Sequence, residues 1–549
     1  MSEQSGLSSR EQWSYRALAA LLAVIWLSIL SARPLFNPDE GRYAEIPREM
    51  AGSGDWVIPH LNGLAYIEKP PLQYWATALS YQVLGPSEFA ARFYTALTAL
   101  GTLGLVALAA RRLWNPQAGW RAAAVLAGML MFVVLGQLLT LDMSLSFYLT
   151  LSLVAFLLAQ RAPSPEAWMA LAWAAAGCGV LTKGLVAAAI PAAVLILYSL
   201  YTRDFSPWRR LRLRWGLPLF LLITVPWHWL AARRLPDFLD FFFVHEHLAR
   251  YLTSAADREE PWWFFAAVFL AGSFPWTVSA LRVLGGGWRR RVSPTGGEFQ
   301  PSVFLWIWVI FIGVFFSFSD SKLMPYILPV MPALALLIAA QPHKALRQDF
   351  SLTAWLTVMA GAGLGVASLN WARLIASSDR VQYFLPLARP LGQIALLLLV
   401  SGAFVLVRGA REATRAGVFL GVGWCLAWLL LIRAAAWVAP VYSGVGLASA
   451  LPVSDRGAPL YSVGTYDQTL TFYLRRTVTL VAYRGELDYG LGKAPAAEVP
   501  DVAEFLRRWS SPAQAFAIME KAMFDDLKNR GVPMRLVAQN ANRVLVARL

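Results

Sequence analysis

The sequence predicts a polytopic α-helical membrane protein of about 13 transmembrane helices, followed by a small C-terminal α/β domain. Two observations carry this expectation. Hydrophobic residues make up 57% of the 549 and charged residues only 15%, against roughly 45–50% and 25% in soluble proteins; mean hydropathy is +0.50. Before residue 440 the chain also runs through 13 apolar segments, each close to the ~20 residues that cross a bilayer. This composition excludes a disordered chain, a coiled coil and a cytosolic enzyme. The net charge of +15 does not argue for nucleic acid, because membrane proteins collect Lys and Arg in cytoplasmic loops.

Taken in order, the segments are 15–33, 90–110, 121–139, 141–160, 165–181, 184–202, 214–231, 263–284, 302–319, 324–341, 351–372, 390–408 and 417–439. The first is read as a span, because Arg33-Pro34-Leu35 follows it where a cleavable signal would place small residues. One set of intervening loops holds 18 basic residues, from Arg111 to Arg415, against five acids (Glu166, Asp204, Glu298, Asp349, Glu412). In the other set, 34–89, 232–262, 319–323 and 373–389, acids roughly balance bases. The first set is therefore expected in the cytoplasm, with the N-terminus inside and the C-terminus outside. Beyond 440 hydropathy falls and turn residues appear. Ala458–Gly464, Ala515–Met519 and Arg543–Leu549 read as short strands, and Lys521–Arg530 as a helix closed by Gly531. The expected division is a membrane body, 1–440, carrying the loops 34–89 and 232–262, and an external α/β domain, 441–549. Cys178 and Cys425 lie in apolar runs and read as small hydrophobes rather than a disulfide or thiolate cage.

The polar clusters collect on the external side. The first loop carries Asp39-Glu40-Gly-Arg42-Tyr43-Ala-Glu45 and, further on, Tyr66-Ile-Glu68-Lys69-Pro-Pro. Helical spacing from Asp39 puts Arg42 and Tyr43 on one face, although a solvated amphipathic helix would carry the same pattern. The second cluster is His245-Glu-His247-Leu-Ala-Arg250. Its two histidines diverge, so at most one joins a site, and His247 shares a helical face with Arg250. Lys322 and Tyr326 lie in a short external turn and Lys183 at the external end of 165–181, where a lysine can also simply snorkel. Asp142, an acid near membrane depth, reads either as functional or as a cap in a tight turn.

Together these loops offer carboxylates (Asp39, Glu68), an imidazole (His247) and cations (Arg42, Lys69, Lys183, Arg250, Lys322). That set suits a phosphate near the membrane surface, and the carboxylates and imidazole could hold a divalent ion. No Walker loop, dinucleotide-binding glycine pattern or Gly-x-Ser-x-Gly elbow is present, so no nucleotide is expected. A reaction on the external side needs a donor activated beforehand, which points to a lipid-linked one.

The motifs Asp39-Glu40-Gly-Arg-Tyr-Ala-Glu45-Ile-Pro-Arg-Glu-Met, Tyr66-Ile-Glu68-Lys69-Pro, Leu181-Thr-Lys-Gly, Glu246-His247…Arg250 and Ser321-Lys-Leu…Tyr326-Ile-Leu resemble those of the bacterial aminoarabinose transferases. These are members of the GT-C superfamily related to protein O-mannosyltransferases. The resemblance runs in order from about 30 to 340. It implies a GT-C fold, a donor of 4-amino-4-deoxy-L-arabinose on undecaprenyl phosphate, and a lipid A phosphate as acceptor. It also implies a bacterial inner-membrane location with the site facing the periplasm, and resistance to polymyxin and cationic peptides. By the same resemblance Asp39, with Glu40 beside it, is the catalytic carboxylate. Lys69 and Arg250, with Arg42 and Tyr326, hold the donor phosphate, with Tyr43, Tyr66, Lys183 and Lys322 as further substrate contacts. Glu68 and His247, less readily His245, are candidate ligands for a divalent ion, Zn or Mg. The chain departs from some aminoarabinose transferases at Gly41 and Pro47, where those carry Thr and Ser, and at Pro70-Pro71-Leu-Gln. The expected partners are the lipid-linked sugar, lipid A and membrane lipids, the expected state a monomer, with no nucleic acid. Two other functions fit parts of the pattern. One is a GT-C transferase of another polyprenyl-linked sugar, such as mannose, to protein or lipid. The other is a lipid-linked sugar transporter, which midplane charges and inverted repeats would favour but one-sided charges do not.

Overall fold

A computed structural model describes residues 8–249, 260–287, 299–378, 380–408, 412–511 and 513–549. Each of the 13 apolar segments falls on helix. The first helix begins at Ser9 because Ser8 and Glu11 form a reciprocal capping box. Among the described residues six helices are long and apolar enough to cross a membrane, or eight if each of two sharply bent pairs is one span. Val186–Thr202, Pro301–Ser317 and Met324–Ala339 are apolar but shorter. The chain is a multi-pass membrane protein, and it gathers into two compact units.

The first unit comprises Met1–Ile29, Thr95–Asn370 and Ala388–Ile432. Its two bent pairs are Pro116–Gly128 with Leu130–Gln137, at 69°, and Phe264–Gly272 with Thr277–Gly286, at 120°. A helix break strands amides and carbonyls, which hydrocarbon cannot satisfy. Here the breaks serve each other: the Leu130 amide donates to the Phe274 carbonyl at 3.0 Å. The Trp428 indole donates to the Gly128 carbonyl at 2.9 Å. Gly128 is required, since a Cβ there would lie 2.9 Å from the Trp276 indole nitrogen and 3.2 Å from the Gly421 Cα.

The second unit comprises Leu30–Tyr94, Trp371–Leu387 and Arg433–Leu549. Strands β1 (His60–Leu61) and β2 (Leu64–Ala65) form a small antiparallel hairpin. A six-stranded sheet is built from β3 (Leu460–Val463), β4 (Thr479–Val481), β5 (Glu498–Val499), β6 (Phe516–Glu520), β7 (Met534–Gln539) and β8 (Arg543–Arg548). Its order is β5-β4-β3-β6-β8-β7. The first four strands run parallel, and β8 is antiparallel to both its neighbours, β6 and β7. The chain thus leaves β3 in one direction and returns at β6 on the other side. β3 is buried throughout, as parallel strands covered on both faces are; its core includes Val463, Val481, Phe505, Trp509, Met519 and Val546. The expected strands near 458, 515 and 543 coincide with β3, β6 and β8. The expected helix is Lys521–Asn529, ending before Gly531 at φ +77°. The 441–549 segment lies wholly in this unit, together with the loop 34–89. That loop is fastened to it by Asn62, whose amide donates to the Val478 carbonyl at 2.9 Å and accepts from its N–H at 2.8 Å.

Candidate active site

The helix Asp39–Ser53 organises the site in the second unit. Two acids in its first turn suit the positive end of the helix dipole, and it stops at Gly54 in the left-handed conformation, φ +74°. Its flank lies so close to the short helix Gln468–Leu474 that a Cβ at Gly41 would sit 2.5 Å from the Thr469 backbone nitrogen. Gly41 is thus set by packing.

Asp39 and Glu40, adjacent in sequence, have opposite surroundings. The Asp39 side chain is 56% exposed and accepts from Arg42 Nη1 at 3.0 Å. Glu40 is buried, taking bonds from Arg33 at 2.5 and 3.0 Å and from Arg92 at 2.8 and 3.0 Å. The Phe36 amide adds a fifth at 3.0 Å. Burial alone would raise the Glu40 carboxyl, but the two guanidiniums hold it well below the usual carboxylate range. Arg92 also donates to the Leu30, Arg33 and Pro34 carbonyls at 2.6–2.9 Å. With its oxygens so engaged, Glu40 has no capacity left for a substrate. The expected catalytic pair therefore divides: Asp39 is the available carboxylate and Glu40 a positioning residue that pins the start of its helix.

Arg42 joins several of the expected residues. Beyond Asp39 it is paired with Glu486, and its guanidinium lies 5.8 Å from the Tyr43 ring. Tyr43 stacks on Tyr74 at 6.2 Å and 27°. Burial, then the neighbouring Glu68 carboxylate, push the Tyr66 phenol well above its ordinary value, so it keeps its proton and can donate it in a hydrogen bond. Lys69 Nζ donates to the Glu68 carbonyl at 2.9 Å. The structure thus brings Asp39, Arg42, Tyr43, Tyr66, Glu68 and Lys69 to one region. Glu486 escaped the sequence reading because it lies more than 400 residues downstream in an ordinary-looking Arg-Gly-Glu turn; the signal it offered, an acid in an external domain, is not distinctive. Arg33 and Arg92 are not among the expected site residues either.

In the first unit, Asp142 opens the helix Leu141–Arg161, capped by Thr140 rather than by Asp142 itself. It forms an ion pair with Lys183, the last residue of the helix Glu166–Lys183. Lys183 Nζ also lies 5.0 Å above the Tyr326 ring. Lys322 is buried with no ion-pair partner among the described residues. Arg250 and the side chains of His245 and His247 lie outside the described residues. Among those described, no three His, Cys, Asp or Glu side chains converge as a metal site would require.

Likeness to known proteins places this exposed carboxylate, with cations and tyrosines beside it, in a membrane glycosyltransferase of the GT-C class. Residues 448–548 match the aminoarabinose transferase C-terminal domain, and 13–242 the dolichyl-phosphate-mannose-protein mannosyltransferase domain. An undecaprenyl phosphate-α-4-amino-4-deoxy-L-arabinose arabinosyl transferase of Pseudomonas paraeruginosa is 32% identical over 540 residues, covering 92% of this chain and 91% of that one. Its counterpart in Aeromonas salmonicida is 36% identical over 363 residues, and the match spans 63% of each chain. The crystal structure of ArnT from Cupriavidus metallidurans bound to undecaprenyl phosphate superposes with a TM-score of 0.88 at 33% identity over 98% of both chains. The chain belongs to the aminoarabinose transferase family.

Proposed function

We propose that this protein transfers 4-amino-4-deoxy-L-arabinose from undecaprenyl phosphate to phosphate groups of lipid A. The reaction would run at the periplasmic face of the inner membrane, and the product would confer resistance to polymyxin and other cationic peptides. The observation that carries the reading is the likeness over 98% of the chain to a relative solved with undecaprenyl phosphate bound. The topology proposed with it has 13 spans, a cytoplasmic N-terminus and a periplasmic C-terminal domain, in a monomer. It is supported by the 18 basic residues gathered in one set of loops.

The leaving group, a polyprenyl phosphate, is already a stable anion, and cations around it lower the cost of departure. Lys69 and Arg250, with Arg42, Lys183, Lys322 and Tyr326, are the residues proposed to hold it. A lipid A phosphate is itself anionic at neutral pH and needs little help from a base. Asp39, half-exposed and steadied by Arg42, would orient the acceptor and stabilise positive charge as it develops on the sugar. Both substrates carry long apolar tails and would enter sideways from the outer leaflet. A divalent ion, Zn or Mg, on Glu68 and His247 would add further charge for the phosphate.

Mass spectrometry of lipid A, from a Gram-negative host that makes the donor, tests this reading. The expected result is one aminopentose gained per phosphate with the native chain and at least a ~100-fold lower yield for Asp39→Asn. Unmodified lipid A despite good membrane expression would overturn it. A chelator arm, with Zn or Mg restored afterwards, reads the metal: unchanged turnover removes it from the proposal. The mannosyltransferase match over 13–242 favours one second reading, transfer of a different polyprenyl-linked sugar.

A further inference from the structure

The second unit contains a cavity of about 390 Å³, within the ~300–1,000 Å³ of small-molecule sites. Its walls include Asn37, Tyr466, Gln468, Tyr483, Asn542 and Arg543. Its place follows from the sheet. In an open α/β sheet the crevice lies beyond the carboxyl ends of the strands, where the chain switches direction, here between β3 and β6. Thr465, Tyr466 and Gln468 follow β3 directly, Tyr483 follows β4, and Arg543 is paired with Glu520 at the carboxyl end of β6. Asn37, two residues before Asp39, closes one side, its Oδ1 accepting from the Gln468 backbone N–H at 3.1 Å.

The polar groups on the wall are fixed and two are unsatisfied. Gln468 is 4% exposed. Its Nε2 donates to Glu486 at 2.5 Å, and because a carboxylate only accepts, this sets the amide and leaves Oε1 as an acceptor without a partner. Arg543 spends one nitrogen on Asp467, at 2.5 Å, and another on Thr465, at 3.4 Å. Its buried Nε–H has no partner. Asp467 neutralises the guanidinium, so the wall has no surplus charge to trap a phosphate. What remains is one acceptor, one donor and the rings of Tyr466 and Tyr483, 6.3 Å apart. Hydroxyls both donate and accept, and the C–H face of a sugar ring packs on an aromatic one.

We infer that this cavity binds a saccharide ring against Tyr466 and Tyr483, its hydroxyls drawing Gln468 Oε1 and Arg543 Nε, both sealed from solvent in the empty cavity, into contact. The site goes beyond the transfer reaction; naming its two candidate sources, the acceptor's glucosamine or the donor's aminopentose, rests on that reading. Two hydrogen bonds and an ion pair link Gln468 through Glu486 and Arg42 to Asp39, so an occupied cavity would be felt at the exposed carboxylate.

Saturation-transfer NMR on the purified full-length chain tests the inference without requiring turnover, using free glucosamine and free 4-amino-4-deoxy-L-arabinose as probes. Ring-proton transfer from at least one sugar is expected, and it should weaken about fivefold, one hydrogen bond's worth, in both Gln468→Leu and Arg543→Lys. The lysine variant keeps the Asp467 pair, so its fold is retained if the first variant's is not. Transfer to glucosamine alone assigns the acceptor's sugar, and transfer to the aminopentose alone the donor's. No transfer with the native chain, equal transfer in a folded Arg543→Lys variant, or displacement of the sugar by inorganic phosphate would overturn the inference. Failure of the lipid A assay alongside positive transfer would overturn the proposed reaction and leave the saccharide site standing.

Discussion

The two compact units pair their carboxylates differently. In the second, Asp39, Glu40 and Glu486 share three guanidiniums, those of Arg33, Arg42 and Arg92. In the first, Asp142 is paired with the single ammonium of Lys183, which rests on the Tyr326 ring. Guanidinium forks fix geometry, whereas an ammonium is a compact charge on a flexible stem that re-partners readily. Several forked arginine bonds therefore fix the start of the Asp39 helix, whereas Asp142 is held by one lysine contact.

The sharpest test of this contrast sets Glu40 against its neighbour. Glu40→Gln leaves two buried arginines short of counter-charge and is expected to cost about 3–5 kcal/mol, seen as a lowered unfolding midpoint in detergent. Asp39→Asn should leave that midpoint nearly unmoved while abolishing transfer. If the two effects were interchanged, the division of roles would collapse.

A second test lies further along the same helix. Burial, then the charge of Glu45, raise the Glu49 carboxyl to about 7. The folded protein thus holds a proton that the unfolded chain releases near 4.5. Stability from this group is complete below about 4.5 and lost as pH rises to about 7, a fall of about 3 kcal/mol. Glu49→Gln should flatten that stretch of the profile in thermal melts from pH 4 to 8. An unchanged slope would remove Glu49 from the account.

The smallest effect expected belongs to Lys183. A double-mutant cycle of Asp142→Asn and Lys183→Met should return a coupling of about 0.5–3 kcal/mol in stability. Lys183→Met should also raise KM for the lipid-linked donor more than it lowers the melting midpoint. A variant that lost stability and kept its donor KM would make the lysine a fixed strut like the arginines.

Much of this arrangement was open to reading from the sequence, and the parts that were not share a cause. Apolar segments and the strands at 460, 516 and 543 declare themselves through local composition, which burial dictates residue by residue. β4, at three residues, and β5, at two, are too short to carry a period. Asp39, Arg42 and Tyr43 could be placed together because one helical turn links them. The sequestering of Glu40 could not, because Arg92 meets it from 52 residues away inside an otherwise apolar segment. Glu486 likewise acquires meaning only when the C-terminal domain gathers with the first loop.

The interrupted helices carry a consequence for descent. Leu130 and Phe274 complete each other's backbone, and the Trp428 indole covers the carbonyl left at Gly128. Straightening either interruption alone would orphan a polar group of the other in hydrocarbon. Three stretches of chain distant in sequence are thereby coupled, and a change that straightens one bend is expected to need compensation at the others.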